Sequence, residues 1–402
     1  LVTHFLSAPG FLRRLTCLLG LFAIYRIGSF VPTPGIDAEW LSMFVAQSSG
    51  NQLLDLLSGG NFGRMTILAL GIAPYITSRG LAQLLRRQGR FARYAAIAFA
   101  LLQSTFIAFG LSRSGVIVIP AWQFIPITML TLTAGAVVLM LLSDQITARG
   151  IGDGMSMIIL AGIAADLPNA VERVAAREWG PVQVIVPVAV SILLAMFTAR
   201  LAWGRRHIPV DRGAALSFSV NPGGMMPVFI TLSVLAFVEL FTQTGDSRIL
   251  SWIRQNAGPG DLVHYVLYCG GIVFFCWLSG PRTIQPKQIA ENLLSADRSV
   301  PGIRPGRQTA EYLNGVLWRL FMGGAAYLMA LALAASFLDN GLRLGTVPLI
   351  GAWLDRSVLV PTFNYYISKL PLSFGATPLW VVLGATMDAI RMEPQQETLE
   401  GR

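Results

Sequence analysis

The sequence predicts an all-α polytopic membrane protein, with ten transmembrane helices in two inverted five-helix halves. Three observations predict it. First, the 402 residues are 54% hydrophobic and 13% charged, with a mean hydropathy of +0.60. A soluble domain carries about 25% charged residues. Second, the apolar residues gather into long runs, and a helix crossing the hydrocarbon needs about 20 mostly apolar residues. Uninterrupted runs exclude a barrel, so helices must satisfy the backbone in lipid. Third, basic residues crowd the loops on one side of the runs, which sets an orientation.

In chain order the expected spans are 12–31, 65–85, 94–111, 124–142, 153–167, 182–203, 222–241, 262–278, 317–338 and 377–390, the fifth and tenth being short. Arg26 and Pro32-Thr-Pro34 close the first run, which has no convincing cleavage site and reads as a retained span. Arg86, Arg87, Arg90, Arg93, Arg205, Arg206 and Arg304 belong to the basic side; Arg64, Arg113 and Arg248 belong to the poorer one. The positive-inside rule then puts both termini in the cytoplasm. Five spans per half give halves of opposite orientation, 1–170 and 171–402, as in inverted-repeat membrane proteins. The hinge between them is the outer loop 166–180.

Several function classes fall away. The net charge of +9 is scattered between apolar segments, so direct DNA binding is not expected. Cys17, Cys269 and Cys276 lie in apolar segments and read as small buried hydrophobes. His4, His207 and His264 are too dispersed for a metal site. Ser156 has no base nearby in sequence, and Glu172 and Glu178 are loop charges. No catalytic residue and no cofactor is expected, so the function must come from a pore.

The polar, glycine-punctuated segments are more specific. Ser58-Gly59-Gly60-Asn61-Phe62-Gly63-Arg64 is too polar for a lipid-exposed span. It is either a flexible outer loop or irregular backbone held inside protein. The run Asp144-Gln-Ile-Thr-Ala-Arg-Gly-Ile-Gly-Asp-Gly-Met-Ser156 and the run Val300-Pro-Gly-Ile-Arg-Pro-Gly-Arg-Gln-Thr-Ala-Glu-Tyr312 read as loops between apolar stretches. Together with Tyr25-Arg-Ile-Gly-Ser-Phe-Val-Pro-Thr-Pro-Gly-Ile-Asp37, Ala69-Leu-Gly-Ile-Ala-Pro-Tyr-Ile76, Thr133-Ala-Gly135, Asn221-Pro-Gly-Gly-Met-Met-Pro227 and Phe374-Gly-Ala-Thr377, they occur in the order of the SecY family's motifs. From about Leu12 to Asp388 the chain resembles SecY, the channel subunit of the bacterial protein-export translocase.

The resemblance implies a clamshell around an hourglass channel. It implies a pore ring of Ile72, Ile76, Met155, Ile159, Phe229 and Val381. By spacing alone these six read as ordinary helix-packing residues, and it is the resemblance that makes them a ring; an apolar constriction suits a channel that must exclude ions without binding any one passing side chain. It further implies a plug at 52–64, a short helix that includes Ser58 to Arg64. A lateral gate opens between spans two and three and spans seven and eight, with Thr77 and Gln103 as gate residues or polar packing contacts. Arg304, framed by proline and glycine, and the pair Arg205 and Arg206 would dock the SecA motor and the ribosome. The implied function is a protein-conducting channel of the cell inner membrane, which translocates signal-bearing preproteins and inserts membrane proteins. SecE-like and SecG-like subunits and membrane lipid are the other implied partners.

The chain also departs from the family. The loop after span two is cut to 86–93 and that after span six to 204–219, which bears on ribosome docking. Arg79 stands within a span, where it should face the cytoplasmic funnel. The cytoplasmic loop 281–316 is retained, and the outer loop 339–375 is long and carries Trp353, Tyr365 and Tyr366. These features suggest a divergent or accessory SecY. The rival readings are a secondary transporter and a non-translocating scaffold. The first needs midplane ionisable groups, and Arg26, Arg79, Glu239 and Asp388 are few and isolated.

Overall fold

Apolar runs of this length fold as helices, and in the computed structural model they do so at most of the expected places. The structure describes residues 9–37, most of 58–164 and most of 204–340, with isolated positions between. The helices are α1 (Pro9–Gly28), α2 (Ala73–Leu84), α3 (Arg90–Arg113), α4 (Ala121–Arg149), α5 (Met226–Thr242), α6 (Arg248–Asn256), α7 (Leu262–Thr283), α8 (Pro286–Ser295) and α9 (Arg307–Asn340). Residues 154–162 are also helical. A two-stranded antiparallel ribbon, β1 (Arg205–Ile208) and β2 (Leu216–Ser219), pairs Arg205 with Ser219 and Ile208 with Leu216. The tenth span and the loop 339–375 lie outside the described residues, apart from the end of α9.

Among the described residues, three helices are long and apolar enough to cross a membrane: Arg90–Arg113, Ala121–Arg149 and Arg307–Ala334. Met226–Glu239 and Leu262–Leu278 are shorter apolar helices. Each buries one stripe. In α3 the stripe runs Ala92, Ala96, Ala100, Ser104, Ile107 and Leu111, a spacing of three and four residues that keeps one face inward. Its alanines admit a close neighbour, as small residues do between membrane helices. Thr133 of α4 meets Ser104 across that contact, Oγ1 to Oγ at 3.2 Å. Helix α3 packs on α4 and α2, α7 packs on α9 and α5, and α5 crosses to α2 and α3.

Four local expectations are corrected. Residues 65–85 are not one helix: α2 begins at Ala73, and 61–72 form turns and a bridge to Pro32. Gly60, Gly71 and Met65 take φ of +79°, +59° and +43°, values foreign to a right-handed helix. The loop expected from Asp144 is helix as far as Arg149, with bends at Gly150 and Gly152 before helix resumes at Gly154. Apolar residues on both sides of Asp144 and Gln145 keep the inward stripe going through Ile146. The segment after the sixth run is the ribbon rather than an open loop. Within 281–316 stands α8.

A second, smaller core explains the last two. Ile208 and Phe218 of the ribbon pack with Leu293 of α8, Val300, and Leu313, Val316 and Leu317 of α9. The ribbon therefore has a buried face, which a two-stranded ribbon needs for stability. Helix α6 is capped by Ser247, whose Oγ accepts from the Leu250 amide at 3.3 Å. It leaves Ile249 and Trp252 exposed one turn apart, an arrangement suited to a membrane–water interface.

Candidate functional site

The ring residues come from three elements. Ile72 immediately precedes α2 and Ile76 sits in its first turn. Met155 and Ile159 are one turn apart on the helical residues 154–162, and Phe229 is in the first turn of α5. All five are at most 3% exposed and belong to one continuous apolar core. Val381 lies outside the described residues. None of these side chains carries a charge or donates a hydrogen bond, so a gap among them is costly for water.

Next to Ile72 in sequence is the polar turn segment. Ser58, Asn61 and Phe62 are buried, while Arg64 is exposed. Asn61 donates from Nδ2 to the Tyr25 hydroxyl at 2.8 Å and to the Ser58 carbonyl at 2.6 Å. Tyr25 in turn donates to the Ser58 carbonyl at 3.3 Å. The Phe62 amide donates to Ser58 Oγ at 2.9 Å, and Thr66 donates to Asn61 Oδ1 at 3.3 Å. Beyond it, the Ile67 amide donates to the Val31 carbonyl and the Thr33 amide to the Met65 carbonyl, both at 2.9 Å. Buried backbone needs partners of this kind, and α1 with its following loop supplies them. Gly59 lies outside the described residues.

Arg79 of α2 lies against the ring. Its guanidinium is 3.8 Å from the Met155 sulfur and 3.8 Å from an Asp153 carboxylate oxygen, with its carbon 5.8 Å from the centre of the Tyr75 ring. Tyr75 donates to Asp144 Oδ1 at 2.7 Å, and Arg93 of α3 makes an ion pair with Asp144 at 2.8 Å. These contacts tie α2, α3, α4 and Asp153 together at one end of the bundle. Sequence reading missed this network, because Tyr75 and Asp144 are 69 positions apart.

Thr77 and Gln103, the residues expected at a gate, share faces with the seam between α2, α3 and α5. Thr77 is three residues from Gly80, whose added Cβ would stand 2.9 Å from Ile230 Cδ1 of α5. Gln103 is three residues from Phe106, whose ring meets Phe237 and Phe241 of α5 edge to face at 6.0 and 5.4 Å. Thr77 bonds back to the Ala73 carbonyl of its own helix at 3.0 Å. Gln103 is buried, and its Oε1 has no hydrogen-bond partner among the described residues.

Arg205, Arg206 and Arg304 are exposed on the second core. The loop around Arg304 is held by Gly302 and Gly306 at φ of +80° and +96°, and by Thr309 donating to the Arg304 carbonyl at 3.0 Å. Asp211, just beyond β1, accepts from Ser299 Oγ at 3.0 Å, and its amide donates to the Ser299 carbonyl at 2.9 Å. The ribbon and the Arg304 loop are thus clipped into one basic platform.

Comparison with known proteins adds the following. The family model described as SecY matches residues 66–354. The protein translocase subunit SecY of Pseudomonas aeruginosa is 34% identical over 366 residues, covering 81% of this chain and 83% of that protein. That of Aquifex aeolicus is 32% identical, covering 92% and 91%, and that of Escherichia coli K12 is 31% identical, covering 96% and 92%. Among solved structures, one reported as the structure of a protein conducting channel superposes with a TM-score of 0.65 at 15% identity, over 97% of this chain and 93% of that one. Sec61 in a canine ribosome-channel complex gives 0.62 at 15% identity, with the same coverage.

Proposed function

The chain belongs to the SecY family, and on that premise we propose how its residues carry the work of a protein-conducting translocation channel. Ile72, Ile76, Met155, Ile159 and Phe229, with Val381, form the waist. The observation that carries this reading is that five apolar side chains from three elements are buried in one core beside a polar turn segment. A closed constriction of this kind seals against ions by dewetting. A passing polypeptide would replace the ring's contacts with itself, and no polar group would arrest it.

Residues 52–64 serve as the plug, held in the closed state by Tyr25 and Asn61. The seam of α2 and α3 against α5 and α7 serves as the lateral gate, with Thr77 and Gln103 facing it. A signal sequence could partition there, each Leu contributing about 0.3–0.6 kcal/mol. The halves 1–170 and 171–402 would move apart about 166–180. Arg304, Arg205 and Arg206 dock a SecA-like motor, and the platform built under the shortened loops gives them a rigid mount. Guanidinium groups there match acidic protein surfaces or ribosomal RNA phosphate. A SecE-like helix would clamp the halves, a SecG-like subunit would accompany it, and both termini would face the cytoplasm at the inner membrane. The transporter and scaffold readings are not favoured, since the relatives that match along most of the chain are translocase subunits.

Co-reconstitution with SecE in liposomes tests the proposal, with SecA, ATP and a signal-bearing precursor supplied. ATP-dependent protection of the precursor from protease is the expected result. A stable complex that protects nothing would overturn the export role. Ile76→Asn should wet the waist and raise single-channel leak in planar bilayers, and unchanged conductance would remove Ile76 from the ring.

A further inference from the structure

Helix α8 follows α7 after two residues and packs through Leu293 on Leu313, Val316 and Leu317 of α9, so the end of α7 lies by the start of α9 and the two run in opposite directions, with a groove of about 510 Å³ lined by Cys269, Gly270, Val273, Phe274, Trp277, Met322 and Met329. The groove opens outward, with Phe274, Trp277 and Met322 exposed, while Met329 at its inner side packs against the large core. Its floor is open because an added Cβ at Gly270 would meet nothing within 4 Å. Along one wall Phe274 and Trp277 stack with centroids 6.3 Å apart. From Met322 to Met329 it spans about 10 Å of helix, the length of a stretch of acyl chain and not of a whole transmembrane helix. Opposite directions of α7 and α9 place Trp277 and Met322 at one end, Cys269 and Met329 at the other. One turn beyond the first end, on the same stripe as Met322, stands Arg319, exposed and without an ion pair among the described residues.

We infer that this groove is a phospholipid site, which takes one acyl chain between α7 and α9 and the headgroup phosphate on Arg319. Both helices lie in apolar segments, so the outward groove meets lipid chains. An arginine near the end of a spanning segment extends its guanidinium to the headgroup level, where phosphate is the matching acceptor. Trp277 at that same end suits the interface, where its ring can sit at headgroup depth. The inference requires only that these helices cross a bilayer and not that the chain exports protein.

The test uses the full chain in phosphatidylcholine-free bilayers of a galactosyl diacylglycerol, doped in turn with phosphatidylglycerol, phosphatidylethanolamine or the galactolipid itself, each bearing a diazirine on one acyl chain. After illumination, lipid adducts are mapped on the peptides containing 269–277 and 322–329. Both phospholipids should label these peptides, and the galactolipid about tenfold less, the worth of one charge-assisted hydrogen bond. Arg319→Gln should lower phospholipid labelling by the same factor, and Arg319→Lys should keep most of it. Gly270→Leu and Met329→Trp should fill the groove and abolish labelling, with thermal melting confirming that each variant is folded. Labelling only by phosphatidylglycerol would still place the site and would assign the net headgroup charge, rather than phosphate alone, as the ligand. Equal labelling by all three lipids, or labelling unmoved by Arg319→Gln and by groove filling, overturns the site. Because the readout is binding, a chain inactive in export can still pass, and an export-competent chain can still fail.

Discussion

Gly135 and Gly154 explain, one residue at a time, why two of the motifs read as they do. A Cβ on Gly135 would collide with the Ile67 carbonyl, and one on Gly154 with the Ser143 carbonyl. Both obstacles are backbone, which cannot rotate away. Gly135→Ala is expected to cost about 3 kcal/mol, the upper end for overpacking a tight site, and a thermal midpoint clearly below wild type would show it. Tyr25 is a second single-residue lever. Tyr25→Phe removes its hydroxyl from both Asn61 and Ser58. At about 1 kcal/mol net for the lost bonding, the displaced plug should become about fivefold more populated, and resting ion conductance should rise in proportion. Conductance equal to wild type would leave Tyr25 a packing residue only.

Between elements, the seam of α2 and α3 against α5 is the contact most open to a single change. It is made of close approach at Gly80 and Ile230 and of two edge-to-face ring pairs from Phe106. Such pairs are worth roughly 0.5–1.5 kcal/mol each beyond area. Gly80→Leu drives a branched side chain into Ile230, so the closed seam should lose about 1–3 kcal/mol. Spin labels on α3 and α5 should then report a longer distance, and an unchanged distance would mean the seam is not where the halves part. The helix that follows α5 is different in kind. Ile249 is 72% exposed on α6, beyond the end of α5, where the membrane interface rather than a protein neighbour would receive it.

At the scale of the whole molecule, the described residues form one large apolar core for the bundle and one small core for the basic platform. The separation predicts separable defects. Arg304→Glu should reduce motor-driven export strongly while leaving the melting temperature and the resting conductance unchanged, because Arg304 is exposed and its carbonyl, not its side chain, is what Thr309 holds. Normal export in that variant would remove Arg304 from docking.

Hydropathy is a sum over neighbours in the chain, and so the apolar runs that became α3, α4, α7 and α9 were legible before any fold was known. Motif order carried the family resemblance, since each motif is contiguous, and the family model matches residues 66–354. Helix ends were less legible, as at Asp144, where a charged residue inside a helix reads locally as loop. The ribbon, α8, the Phe106 ring pairs and the Tyr75–Asp144–Arg93 network were not legible at all. Each depends on partners tens of residues away, and short segments such as β1 hold their shape only because Ile208 finds a core to enter. Composition and period set what must be buried in lipid or protein. Which buried face meets which was decided by tertiary packing, because close approach and hydrogen-bond geometry act between residues that the chain itself keeps apart.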